Sequence, residues 1–330
     1  MNPRRFPRPP LMRPASLAVA MACVVVCVPV AGQTWPTRAI KIIAPFPPGG
    51  FTDVVTRQVA ARLSVELGQP VIVENRPGAG TNIGTEAVVQ SAPDGYTLLM
   101  GTSSLAINPT LYKKISYNVE RDLKPVGIFA TTGYTLLANN DLPVKNVGEV
   151  IALAKSKPDT LAYGSSGNGA VNHLAGALFT SMTDTRMQHV PYKGSQAAIT
   201  DLIGGQIQLF WASNLEAMPM LKAGRVKALG VTTAAAVPAL PSIPAIGTTV
   251  KNYEVVYWMG LFAPSKTSSV VLDRLASALR SASISPEMQK SLAEAGAQAQ
   301  FRTPEASTTL LRREIESWGE TVRSAGAKVD

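Results

Sequence analysis

Cysteine is absent from this 330-residue chain after residue 27, and the only two, Cys23 and Cys27, sit in an apolar stretch near the start. Nothing beyond that stretch can form a disulfide, a thiolate nucleophile or a cysteine metal site. Stability must then come from an apolar core, which a chain of this length can build. Histidine is as scarce: His173 and His189 are the two, with no partner at metal-ligand spacing. Each reads as a structural, hydrogen-bonded residue or as a base. The apolar run from Leu17 to Val28 has 12 residues, against about 20 for a helix that spans a bilayer. Several enzymatic alternatives also fail on spacing. No G-x-x-x-x-G-K-[ST] occurs, Asn172 stands where a dinucleotide fingerprint beginning at Gly167 needs its third glycine, and G-x-S-x-G fails around Ser166 because Asn168 holds the last place.

What is present at the N-terminus is the layout of a secretory signal. Arg4, Arg5, Arg8 and Arg13 precede the apolar run, and Pro29-Val30-Ala31-Gly32 follows it. Residues 1–32 are expected to be removed, with cleavage after Gly32 and a periplasmic product. Lys and Arg number 31 against 22 acids; without the four arginines of the signal the ratio is 27 to 22, a net of +5. No dense basic cluster with interleaved aromatics accompanies that excess, so nucleic acid is not an expected partner. The field modestly favours encounter with anions.

The remaining pattern alternates strand and helix. Ile40 to Ala44 reads as a buried strand. Val55, Val59, Leu63 and Leu67 then form a helical stripe over Asp53 to Leu67, with Thr52 or Asp53 as its expected cap and Gly68 at its end. Val71 to Val73 and Thr97 to Met100 read as strands, with a helix around Ile83 to Gln90 between them. The grammar restarts after about residue 145, with helices over Val147 to Lys155, from Ala170 and over Ser195 to Ile203. Strands are expected at Leu161 to Tyr163, Gln188 to Tyr192 and Val226 to Val231. A last helix has Thr303 as cap and Pro304 at its first position. This spacing predicts an α/β fold with a parallel sheet covered on both faces.

Two glycine-rich loops each join a predicted strand to a predicted helix: PFPPGGFTD from Pro45 to Asp53 and GSSGNGAVNH from Gly164 to His173. Such loops aim backbone N–H groups and a helix N-terminus at an anion, beyond the carboxyl ends of the strands, where open α/β sheets bind ligands. Glycines that only make tight turns are the plainer reading of either loop alone. Asn75 to Gly80 reads as a turn or a pocket wall. Tyr192-Lys193-Gly194 either offers a hydroxyl and a cation to a carboxylate or is a solvated surface. Trp258 and Trp318 read as packing residues. A serine hydrolase built on Ser166 or His173 and acting on a carboxylate ester is the alternative from another class.

These segments, taken in order, resemble a known family. WPTRAIKIIAPFPPGG from Trp35, NRPGAG from Asn75, PDGYTLL from Pro93, NPTLY from Asn108, GSSGNG from Gly164, HLAGALF from His173, HVPYKG from His189, DLIGGQI from Asp201, KALGVTT from Lys227 and WMGLFAP from Trp258 are similar to the substrate-binding receptors of tripartite tricarboxylate transporters, the TctC or Bug proteins. The resemblance runs from Trp35 to Asp330. It implies a periplasmic-binding-protein fold with two α/β lobes joined by two crossing strands around a ligand cleft. Residues 33–134 and 258–330 would make a discontinuous first lobe and residues 135–257 the second.

It also implies a small carboxylate ligand, from amino acids to citrate-like and aromatic acids, with no cofactor and no metal. The candidate ligand set is Phe46, Pro47, Gly49, Gly50, Thr52 and Asp53 in the first loop, with Ser103. The second loop adds Ser165, Ser166, Gly167, Gly169 and His173, and Lys193 follows. Expected partners are the membrane subunits of a secondary transporter, or a sensor protein, for a receptor acting as a monomer. One departure concerns Phe210-Trp211-Ala212, where relatives often carry Phe-Asp. If that position faces the cleft, a ligand ammonium loses a partner and an apolar body gains a surface. Asn172, where Ser or Thr is common, also alters the second loop.

Overall fold

The computed structural model describes residues 35–329; the expected signal segment lies outside them. In chain order, β1 (Ile40–Ala44) leads to α1 (Phe51–Leu67), and β2 (Val71–Asn75) is followed by a 3-10 turn at Ala79–Thr81, α2 (Asn82–Val89) and β3 (Thr97–Thr102). Next come α3 (Ser104–Leu111), the single turn α4 (Val119–Asp122) and the 17-residue β4 (Leu123–Asn139). The middle of the chain holds α5 (Val147–Ser156), β5 (Ala162–Ser165), α6 (Val171–Thr183), β6 (Gln188–Pro191), α7 (Ser195–Ile203), β7 (Leu209–Ser213), α8 (Asn214–Lys222) and β8 (Val226–Val231). β9 (Val256–Pro264), α9 (Ser269–Ser283), α10 (Pro286–Glu294), β10 (Ala297–Arg302) and α11 (Pro304–Ser324) complete it.

The strands hydrogen-bond in the order β2-β1-β3-β9-β4-β7-β5-β6, with β8 and β10 also pairing β4. The expected parallel sheet is in fact mixed. β1 pairs β2 and β3 in parallel, as β5 pairs β6 and β7, whereas every pairing made by β4 or β9 is antiparallel. β4 is the common member. Its residues from Leu123 to Gly133 pair β9, and those from Tyr134 to Ala138 pair β7. One strand thus runs through both α/β halves of the molecule, and β9 returns alongside its first part.

Side-chain alternation explains why both faces are covered. On β1, β3 and β9 the residues Ile40, Ile42, Leu98, Met100, Met259, Leu261 and Ala263 face one way, onto Val55, Val59, Leu63 and Leu67 of α1 and onto α9. Ile43, Leu99, Trp258 and Phe262 face the other way, onto α3 and α11, in an apolar layer that continues to Leu136, Leu209 and Trp211 of the second half. Period-two alternation with apolar residues on both faces demands helices on both sides. Each fully buried member of the α1 stripe contributes about 1.5–3 kcal/mol.

Helix starts follow local chemistry. Asn146, Ser213, Ser268, Ser285 and Thr303 each accept a hydrogen bond from a first-turn N–H of α5, α8, α9, α10 and α11. α1 departs from the expected cap. Its N-cap is Gly50, without a side-chain bond, and Thr52 and Asp53 lie inside the first turn. α6 and α7 likewise begin without a capping side chain.

Candidate functional site

Three of the five α-helix starts without a capping side chain, those of α1, α6 and α7, follow a strand of the sheet and a loop containing glycine. A helix leaves its first N–H groups without intrahelical partners, and the macrodipole makes that end attractive to negative charge. At α1 the first internal bond runs from Val54 N–H to the Gly50 carbonyl, and at α6 from Leu174 N–H to the Ala170 carbonyl. Neither N-cap residue makes a side-chain capping bond.

The first loop is held from below. Pro47, Gly49 and Gly50 are exposed, Phe46 is half-buried, and Asp53 beneath them is 2 % exposed. One Asp53 carboxylate oxygen accepts Gly49 N–H at 2.9 Å and Arg57 Nε at 3.1 Å; the other accepts Asn75 Nδ2 at 2.7 Å. Asn75 also donates to the Phe46 carbonyl at 3.0 Å and accepts from Arg57 at 2.7 Å. Burial is the largest single influence on this carboxyl and opposes its charge. The bonds from Arg57, Asn75 and Gly49 together outweigh burial and hold it below the usual carboxylate range. Asp53 therefore braces the loop with a carboxylate whose acceptors are already taken. Arg57 escaped the sequence reading, although its i,i+4 spacing from Asp53 was a usable signal.

The second loop spends most of its own amides. Ser166 N–H and Oγ both donate to Asn172 Oδ1, at 3.2 and 3.1 Å. Gly167 N–H donates to Ser165 Oγ at 3.2 Å, Gly169 N–H to His173 Nδ1 at 3.0 Å, and Ala170 N–H to the Gly167 carbonyl at 3.2 Å. What this leaves for a ligand is the exposed Asn168 peptide and the first-turn amides of α6, with the half-buried Ser166 hydroxyl added once it turns from Asn172. Asn172 gains a role here: its side-chain oxygen pins Ser166.

Gly169 needs its glycine for two reasons. Its φ is +76°, and a Cβ there would lie 2.3 Å from Leu111 Cδ2 at the end of α3. The crowding comes from Leu111.

Other candidates fall into structural places. Ser103 is fully buried, donating to the Val256 carbonyl and accepting Trp258 N–H, both at 3.2 Å. It fastens the start of α3 to β9. Thr52 Oγ1 lies 3.1 Å from the Tyr257 hydroxyl, so the start of α1 also meets β9. The Tyr192 hydroxyl is taken by Asp201 at 2.7 Å, while Lys193 is exposed beside the α7 start. Phe210, Trp211 and Ala212 are each 0 % exposed, and Trp211 packs edge-on to Tyr163. This position therefore gives the cleft no apolar surface. Among the described residues no hydrogen bond joins the two loops directly. They connect through β9 and α3, from Thr52 by Tyr257 and Ser103 to Leu111 and Gly169.

One pair has the look of catalytic chemistry. Ser165 Oγ lies 2.7 Å from His189 Nε2. Ser165 is 0 % exposed, however, and its hydroxyl also donates to the Gly167 carbonyl at 3.0 Å. The pair ties the loop to β6, with no approach for a scissile carbonyl.

Comparison with known proteins agrees with this architecture. The profile described as tripartite tricarboxylate transporter family receptor matches residues 55–326. Protein BugT of Bordetella pertussis is 34% identical over 324 residues, covering 96% of this chain and 98% of its own. The solved structure of R. palustris Rpa4515 with adipate has a TM-score of 0.78 at 33% identity, covering 89% of this chain and 100% of its own. MatC from Rhodopseudomonas palustris with bound malate has a TM-score of 0.71 at 29% identity, covering 87% and 99%. The matched family consists of binding receptors and not of enzymes, which sets the hydrolase alternative aside. The fold is that of the two-lobed solute-binding proteins, and the chain belongs to the receptor family of the tripartite tricarboxylate transporters.

Proposed function

We propose that the protein captures a small carboxylate between the Pro45-to-Asp53 and Gly164-to-His173 loops and delivers it to the membrane subunits of its transporter, or to a sensor protein. The carrying observation is that both glycine-rich loops run from a strand of the sheet into a helix start with no capping side chain. Open first-turn amides suit a carboxylate. Related proteins with bound adipate and malate support this ligand class. In this reading residues 33–134 with 258–330 and residues 135–257 are the two lobes, which move as rigid bodies about β4 and β9. The receptor acts as a periplasmic monomer after loss of residues 1–32. Among the described residues no helix is long and apolar enough to cross a membrane.

A thermal-shift screen against carboxylic acids, adipate and malate included, identifies the ligand, since binding to the folded state raises the melting temperature. Titration calorimetry then tests the mode. Ser166→Ala is expected to weaken binding by about 1–2 kcal/mol, between the scale of a neutral hydrogen bond and that of one to a charged group. Lys193→Ala is expected to act through long-range charge, with an effect that shrinks as salt screens it. Loss of binding in Lys193→Ala at both low and high salt, with Ser166→Ala unaffected, would mean that a direct ion pair holds the ligand and would sink the two-loop reading.

A further inference from the structure

We propose that His173 is a positioning residue for the second ligand loop, holding it only while the imidazole is neutral, so that acid loosens the loop and lowers its grip on ligand. The link to ligand rests on the two-loop reading above; the link to the loop does not.

The argument starts from one hydrogen bond. Gly169 N–H points at His173 Nδ1 at 3.0 Å. A backbone N–H can only donate, so Nδ1 is the unprotonated nitrogen and Nε2 carries the proton of the neutral ring. The only place for a second proton is therefore Nδ1. Charging this ring must replace the acceptor with a donor facing another donor, and the bond that fixes Gly169 is lost. His189 differs. Its Nε2 contacts the Ser165 hydroxyl at 2.7 Å, and a hydroxyl can donate or accept, so that bond survives either state.

The surroundings add a second cost to the charged form. The rings of His173 and His189 are stacked, with centroids 3.8 Å apart and planes within 11°. His173 is 4 % exposed. Burial, and then the neighbouring His189, push its pKa down to about 4; burial pushes that of His189 to about 4 as well.

Protons have a route. Both rings line a groove of about 540 Å³ between α6, β6 and residues 324–327, which Asn168 of the loop also borders. The groups facing the pair are Tyr163 of β5, 5.1 Å from the His189 ring, whose hydroxyl burial keeps neutral, and Asp184 at the end of α6. The groove's wall from residues 324–327 adds no charged side chain, and α3 presents Leu111 to the loop. Asp184 is thus the one carboxylate on the groove wall among the described residues, and no Lys or Arg lines it.

Two histidines in the whole chain make the test direct. Their ring signals are followed by NMR from pH 8 to 3.5 in ligand-free protein, alongside amide-exchange protection factors. The expected result is that His173 charges near pH 4 and that protection at Gly169 falls at least about ten-fold at the same midpoint while β4 stays protected. His173→Asn keeps an acceptor near the Nδ1 position without titrating there, and its Gly169 protection should stay flat. Three results would overturn the proposal: His173 charging with Gly169 protection unchanged, His173→Asn losing protection as the wild type does, or loss spread over β4 at the same midpoint.

A second arm adds adipate at 10 mM. Ligand that favours the held loop must lower the His173 midpoint, by linkage. Adipate bound at neutral pH with no shift of that midpoint also overturns the proposal. Absence of adipate binding, with the coupling of His173 to Gly169 intact, counts instead against the ligand reading and leaves the loop device established.

Discussion

Gly169→Val is expected to destabilise the protein by roughly 2–6 kcal/mol, combining strained backbone with overpacking. At φ +76° a β-branched residue is badly placed. Its Cβ would in addition sit 2.3 and 2.6 Å from the two Leu111 methyls and 3.0 Å from Leu111 Cγ. Those contacts separate into two parts. Leu111→Ala added to Gly169→Val removes the crowding and leaves the backbone strain, so the double variant should recover part of the loss while remaining below Leu111→Ala alone. Denaturant unfolding of the three variants measures both parts. A Gly169→Val protein as stable as wild type would mean that the loop does not rest on Leu111. The same variant should bind ligand weakly even where it folds, because Gly169 sets the position of the α6 start.

Asp53→Ala is the second large effect, expected at about 2–4 kcal/mol with at least a ten-fold loss of ligand affinity. Hydrogen bonds to a charged group are worth about 1.5–3 kcal/mol, and donors left unpaired in a part-buried place add to the loss. Gly49 N–H, Arg57 and Asn75 would all lose their acceptor, and the Asn75 bond to the Phe46 carbonyl would lose its support. Asp53→Asn should be nearly as damaging. It presents an NH2 group, with two donor hydrogens, to a site where every neighbour donates. The pH dependence has a definite sign. The folded carboxyl titrates below its ordinary value of 3.8, so its contribution is present above that pH and fades as pH falls through the lower folded value. Stability curves of wild type and Asp53→Asn should therefore differ most near neutrality and converge in acid below 3.8. Parallel curves down to the lowest accessible pH would show that Asp53 stabilises the loop without its charge.

These two sites differ in how far a reader of the sequence could reach them. The glycines of both loops were legible because each lies where a strand pattern stops and a helical stripe starts. β1, α7 and β8 were readable to the residue, the first and last as unbroken apolar runs and α7 from the Gly204-Gly205 stop. Thr303-Pro304 marked the start of α11. β4 was not legible from residue pattern. Pro125, Gly127 and Gly133 interrupt it, and the register with β9 shifts at Pro125/Gly127 and Ile128/Ala130, so bulges absorb residues that local propensity counts as breaks. α9 and α10 were missed although Ser268 and Ser285-Pro286 are ordinary start signals. The Asp53–Asn75–Arg57 brace was hidden for another reason. Asn75 reaches the loop only because β2 lies parallel beside β1. The stacked histidines are the same case. His189 is paired opposite Tyr163 by the parallel register of β5 and β6, and His173 reaches it from the next helix. Tertiary pairing made these contacts, and no spacing along the chain announces them.

The single strand β4 sets what can be exchanged within this architecture. It bonds β9 and β10 along its first part and β7 and β8 along its second, and the apolar layer over it passes from one half to the other without a break. Either half produced alone would carry β4 with its remaining N–H and C=O groups open to other chains, a template for aggregation. New ligand preference is therefore more readily acquired by grafting the exposed residues 47–50 and the exposed or half-buried residues 166–168 than by shuffling halves, because those loops can vary while the shared ladder beneath them stays closed.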